Sequence, residues 1–468
     1  MTTRSVGLRA TLPITAVLAV LAASCGSDSK SASTTAAAAT EAPTTAAAAA
    51  TTGAPASSAA PSSEPAAAAG FKVPTTSCPA DATTPLADGA PIKIGFIGPQ
   101  TGPLASFGQI APGMKVLFDK VNAAGGVDGH KIEVVTKDDA YDPAKSKPAV
   151  QEAIQGDKIF ASAIQIGTPN VAGTRGDYEA ACVPQAWVGT GFSAWGDPAN
   201  HPWTVGGIMA YPTEAIAWTE FLKDKYPNGA KVAQLVYNND FGKSYQKQFE
   251  KTAADNGFDV VSTVTHEATS DLSNEVTQIL ASNPDVILAE TTATFCTNLM
   301  KLARQGGFTG PIILSATCQS VQNFVAPAGE AAAEAYTIVT QKDPSDPAFA
   351  DDPEMKQYFA DVQQYGGGAD PKLGNTATGY DIATVIVDNL TRAAAMDGGL
   401  TRANMMNAVW STDQSLPLAA GGKYKVDGTT DAYAVEDGYI AVFDPASGGY
   451  KDTGFKVNLE GKTGVFTP

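Results

Sequence analysis

Two glycine-containing loops invite a phosphate-binding reading. GPQTGPLASF (98–107) follows the strand-like run IKIGFIG (92–98), and Gly242-Lys243-Ser244 matches the end of a nucleotide loop. Such a loop needs G-x-x-x-x-G-K-[ST], so that successive backbone N–H groups and one lysine surround the phosphates. The first candidate has no lysine, and Pro99 and Pro103 each remove a donor. The second has Tyr237 where the leading glycine belongs. Gly95, Gly98 and Gly102 miss the G-x-G-x-x-G spacing. Hydrolytic sets fare no better. G-x-S-x-G is absent, and His266-Glu267 is followed by Ser270 where H-E-x-x-H needs its second histidine. The histidines His130, His201 and His266 are far apart, and Asp138, Asp139 and Asp142 lack the spacing of a calcium loop and read as a solvated strand end. No enzyme activity, metal or cofactor is expected.

The charge balance narrows the partners. Lys+Arg 31 against Asp+Glu 48 gives −17 over 468 residues, a surface that repels nucleic acid. Arg4 and Arg9 precede the apolar run LPITAVLAVLAA (12–23), about half of a bilayer span. The run ends in LAASC. Small residues before a cysteine resemble the processing site of bacterial lipoproteins, with Ala22 where leucine is usual. Residues 1–24 are then a signal peptide and Cys25 the lipidated N-terminus. An ordinary secretory signal cut near the same place is the alternative. Residues 26–70 are almost wholly Ala, Thr, Ser, Pro and Gly, and offer no buried face. The expected linker runs from 25 to 85, tethering a globular body to the outer face of the cytoplasmic membrane by lipid alone. Four cysteines remain. An even count in an exported chain suggests two disulfides, against free buried thiols as the other reading. Cys296 and Cys318 close a short loop, which leaves Cys78 for Cys182.

These features sit on an alternating pattern. From residue 92, near-continuous apolar strands are followed by segments of helical spacing, such as 110–123 before the stop signal Gly125-Gly126. That alternation implies parallel sheets covered on both faces. Four or five strands precede residue 210 and about five follow it, so the expected fold class is α/β with two doubly wound parallel-sheet lobes joined by a hinge. A tail from about 352 is helical and then turns to strands, and must serve both lobes. Ligands of open α/β sheets bind beyond the carboxyl ends of the strands. The loops there are IGTPN (166–170), GTGFSAWGD (189–197), NNDFGKS (238–244), TTATF (291–295) and ATCQS (316–320), small, hydroxylic or aromatic.

In their order, IKIGFIGPQTGPLASFGQ (92–109), NAAGGVDGHKIEVVTKDDAYDP (122–143), VPQAWVGTGFSAWGDPANHPWTVG (183–206), VYNNDFGKSY (236–245) and TGYDIA (378–383) resemble the leucine/isoleucine/valine-binding protein family. These are type I periplasmic binding proteins serving ABC importers. The resemblance implies a first lobe from 90–208 plus 342–413, a second from 209–341 plus 414–468, and three hinge crossings. It implies a monomer that binds a small amino-acid-like solute (a branched-chain amino acid or a related amide or carboxylate) and docks on permease subunits. A sensor of the same fold is the alternative. By position, Phe107 caps the ligand, Thr168 and the pair Gly191 and Ser193 (or Thr190) hold a carboxylate, and Phe241 and Tyr380 form aromatic walls. Thr292 stands where the family has an aromatic. Thr317 stands where it has the acid that pairs with the ligand amine. Glu290 or Asp240 is then left to supply that charge.

Overall fold

The computed structural model describes residues 70–463 and 465. The signal peptide, Cys25 and the tether up to residue 69 lie outside the described residues. Strand β1 (Ile92–Gly98) buries every residue but Lys93, as a β-branched run does in the middle of a parallel sheet. It pairs in parallel with β2 (Ile132–Asp138) on one side and β3 (Ala161–Ala163) on the other; β4 (Gln185–Val188) and β5 (Thr204–Gly206) complete the order β2-β1-β3-β4-β5. Helices α1 (Ile110–Ala123), α2 (Pro143–Glu152) and α3 (Thr168–Ala181) connect its first four strands. Gly125 and Gly126, at φ 120° and 88°, turn the chain out of α1 where the stop signal predicts.

Lobe two begins with α4 (Tyr211–Lys225). Five parallel strands follow, β6 (Ala230–Tyr237), β7 (Phe258–His266), β8 (Val286–Glu290), β9 (Ile312–Leu314) and β10 (Ala335–Val339). They alternate with α5 (Asp240–Ala253), α6 (Ser273–Ala281) and α7 (Thr294–Gln305). The decoy Gly242-Lys243-Ser244 lies in the first turn of α5, capped by the Asn239 side chain. The chain then returns to lobe one as α8 (Pro353–Tyr365), α9 (Gly374–Ala394) and α10 (Arg402–Val409). A small ribbon, β11 (Asp413–Gln414) with β12 (Tyr424–Lys425), precedes the last two strands. Those strands extend the second sheet, β13 (Asp437–Asp444) antiparallel to β10 and β14 (Gly449–Asn458) antiparallel to β13.

Packing corrects two expected boundaries. The linker does not run to 85. Val73 and Ala82 are buried in the lobe-one core, the Phe71 ring meets Trp410 at 5.6 Å, and Arg402 pairs with Asp81 at 3.1 Å. Nor does the chain change lobes at 414. Leu416, Leu418, Val426, Ala432 and Ala434 pack in the lobe-one core, and Leu418 N–H bonds the Asp381 carboxylate at 3.1 Å. The third crossing therefore comes at about Val435, which touches the cores of both lobes. The two expected disulfides form, Cys78–Cys182 in lobe one and Cys296–Cys318 in lobe two.

The hinge is a small hydrogen-bonded unit. The second crossing pairs with a lobe-one segment ahead of the third, through Gln341 and Ala419, with Lys342 N–H on the Leu418 carbonyl at 2.7 Å and Ala420 N–H on that of Thr340 at 3.0 Å. The Tyr424 hydroxyl bonds the Gly207 carbonyl in the first crossing. Nearby, α1 and α9 cross at two glycines. A Cβ on Gly379 would overlap the Ile110 carbonyl, and one on Gly113 that of Thr376. Gly379→Ala is therefore expected to cost about 1–3 kcal/mol by overpacking. Its urea midpoint should fall with an unchanged slope; a midpoint equal to that of the natural protein would refute the close crossing.

Candidate ligand-binding cleft

The carboxyl ends of both sheets face one another across the hinge. The lobes are shut. Leu104, from the loop after β1, is 1% exposed and packs in the lobe-two core. The Phe107 ring lies 5.8 Å from Phe324, and Tyr141 stacks on Tyr237 at 6.2 Å. Between the lobes, against the hinge, remains a cavity of about 140 Å³. Its walls are mainly apolar. Lobe one gives Phe107, Ile110, Ile164, Ile166 and Leu416, the crossings give Met209 and Val435, and lobe two gives Phe324. Its polar groups include Glu214, Thr317, Ser320, Gln341, Asp343, Thr378 and Asp381.

Of the predicted ligand contacts, the structure places Phe107 and Thr317 on this wall. The others lie elsewhere, each for a visible reason. Thr168 and Thr190 are fully buried and bond each other at 2.5 Å, and the Tyr211 hydroxyl donates to Thr190 at 3.1 Å. Gly191 is pressed against the Met209 carbonyl and the Tyr211 ring, where a Cβ would overlap both. Ser193 opens a short turn whose carbonyl accepts from Tyr433 at 2.7 Å. Phe241 is a core residue, edge-on to Tyr211 at 4.9 Å and Tyr245 at 5.5 Å. Thr292 is buried, with a hydroxyl that lacks a partner. Tyr380 turns toward α8, donating to Asp361 at 2.6 Å. Helical spacing explains the last case: Thr378, Asp381 and Ile382 share the face of α9 that meets the cavity, and Tyr380 lies off it.

Neither Glu290 nor Asp240 reaches the cavity wall, whereas Glu214 does. Asp240 is exposed at the start of α5, and Glu290 is buried in β8 with Gln234 Nε2 at 3.3 Å from Oε1. Glu214 lies on the cavity wall. Its Oε1 accepts the Ala316 N–H at 2.6 Å and its Oε2 the Tyr245 hydroxyl at 2.8 Å. Burial, against those two hydrogen bonds, pushes its carboxyl up to about 8. Burial likewise raises Asp381 to about 7 and Asp343 to about 6. The signal for Glu214 was present in YPTEAIAW, where an acid shares the buried face of α4 with Tyr211 and Trp218. Of the acidic trio at the end of β2, Asp138 is exposed as expected and Asp139 differs from its solvated reading. Asp139 is fully buried and accepts from Ser146 at 2.5 Å and Asn170 at 2.9 Å.

Two doubly wound lobes, three crossings and an interlobe cavity define a two-lobed solute-binding protein of the type I periplasmic class. The profile of the periplasmic binding protein family matches residues 91–449. The chain belongs to this family. It is 25% identical over 335 residues to Leu/Ile/Val-binding protein homolog 7 of Brucella suis biovar 1 (strain 1330), covering 67% of this chain and 80% of the relative. Two solved structures share the fold. One is a fatty acid ABC transporter substrate-binding protein from Thermomonospora curvata, with TM-score 0.65, 24% identity, and 79% of this chain and 93% of that one covered. The other is a branched chain amino acid ABC transporter from Thermus thermophilus with bound valine, with TM-score 0.70, 17% identity, and 80% and 97% covered. Both solved structures are named for ABC transport, and the family is one of extracytoplasmic binding proteins.

Proposed function

We propose that this protein is the solute-binding component of an ABC importer, held to the outer face of the membrane through Cys25. It captures a small solute with an apolar body, of the size class that spans branched-chain amino acids, related amides and carboxylates, and releases it chemically unchanged to permease subunits. The observation that carries this reading is the apolar cavity walled by both lobes and the hinge. A solute there touches both lobes, so it favours the closed state by its differential affinity. The Thermus relative holds valine and the Thermomonospora relative serves a fatty acid transporter, both solutes with apolar bodies.

The test is a thermal-shift panel of branched-chain amino acids, amides, amines and carboxylates. A ligand at 100 times its Kd adds about 2.7 kcal/mol to stability. Phe107→Ala removes an aromatic wall and should weaken the best ligand about tenfold or more, about 1.4 kcal/mol. A shift of equal size in the Phe107→Ala protein would place the site outside this cavity.

A further inference from the structure

Tyr211 and Glu214, both buried near the start of α4, have different neighbours. Thr168, Thr190 and the Gly191 N–H form, beside the start of α3, a group of donors that would suit a carboxylate. Tyr211, arriving from lobe two, already fills it. Its hydroxyl bonds Thr190 at 3.1 Å, with Thr168 and the Gly191 N–H also in reach. Its ring lies against Tyr245 at 4.7 Å and Phe241 at 4.9 Å. Gly191 makes the fit, since a Cβ there would overlap the ring. Burial pushes the phenol up to about 12, so a neutral group occupies the cradle.

The second is Glu214, one turn further on and facing the cavity. Each of its oxygens accepts one protein donor, and an ammonium brought against them would favour the ionised carboxylate against its burial, leaving further lone pairs to accept from it. The other acids of the wall are Asp343 and Asp381. Its two lysines are engaged elsewhere, Lys342 with Asp352 at 2.6 Å and Lys423 with Asp413 at 2.7 Å. A solute carboxylate would therefore meet acids and two lysines already paired, whereas a cation would meet a carboxyl with room for a further donor.

We propose that α4 sets the chemical class of the solute: Tyr211 shuts a carboxylate out of the lobe-one cradle, and Glu214 receives a cationic amine whose apolar body fills the cavity. The assignment rests on the cleft reading above.

A matched series tests it in the purified protein: 3-methylbutylamine, leucine and 4-methylpentanoate share one branched body and differ only in the head. A longer pair, 4-phenylbutylamine and 4-phenylbutyrate, fills more of the cavity. The amines should raise the melting temperature, and leucine and the carboxylates should not. Glu214→Gln should weaken the amine at least tenfold, and Glu214→Asp should restore part of the loss. Tyr211→Ala, or Tyr211→Leu if the first does not fold, should tighten carboxylate binding at least tenfold. Tyr211→Phe keeps the ring and should not. Equal or larger shifts from the carboxylates in the natural protein overturn the class assignment and leave the cleft reading standing. A folded Tyr211→Ala protein that gains nothing for carboxylates also overturns it. If no member of the series shifts the melting temperature, the cleft reading falls, and the assignment with it.

Discussion

Replacing Cys78 and Cys182 together by alanine should lower stability by about 4.7 kcal/mol, and replacing Cys296 and Cys318 by about 3 kcal/mol. The difference comes from the unfolded chain. The first bridge spans 104 residues and the second 22, and the loop-closure entropy that a bridge removes from the unfolded state grows with the logarithm of the loop. Cys182, Cys296 and Cys318 are buried and Cys78 is half-buried, so the void left by truncation is smaller at the first bridge and narrows the difference. The first bridge has a second effect in the folded state. It fixes the segment that carries Phe71 against Trp410 and Val73 N–H on Asn407 at 2.8 Å, which closes one side of lobe one. Denaturant unfolding of both double variants checks the order. Equal midpoints, or a larger loss from the shorter loop, would show that native contacts rather than loop closure dominate.

Much of this architecture was legible because local signals agreed with one another. β1 reads as a buried strand from IKIGFIG alone, and α1 ends where two glycines stop it. The expected cleft loops do converge at the carboxyl ends of the strands. What the residues could not convey is which side chains would satisfy each other once the lobes met. Thr168 and Thr190 are each a hydroxyl at a strand end, and as separate residues they read as ligand contacts. Only the closed structure brings them to 2.5 Å and sets the Tyr211 hydroxyl upon them. Residues 414–434 misled for another reason. They are short of regular structure, and their few apolar side chains lack a period that would show which lobe they join. Glu214 was the readable miss, an acid at a core position of a helix, which implies a partner or a raised pKa.

That acid gives the second large expectation. Glu214 moves from an ordinary 4.5 when unfolded to about 8 when folded, through burial. The folded state therefore holds a proton that the unfolded state has released between those values. Stability falls where the folded state binds more protons, so it should decline as the pH rises. The contribution is complete below about 4.5 and is lost as the pH climbs through 8, at about 1.4 kcal/mol per unit. Over the window the change is on the order of 4 kcal/mol for this group. Asp381 and Asp343 add declines of the same sign that end near 7 and 6. Glu214→Gln separates the terms. Glutamine cannot ionise, and its oxygen and amide occupy the same place beside Ala316 N–H and the Tyr245 hydroxyl. The variant should match the natural protein near pH 5 and exceed it by several kcal/mol at pH 8. Denaturant titrations of both proteins across that range provide the comparison. Parallel stability curves would mean that Glu214 stays ionised in the folded state, held so by its two donors against the cost of burial.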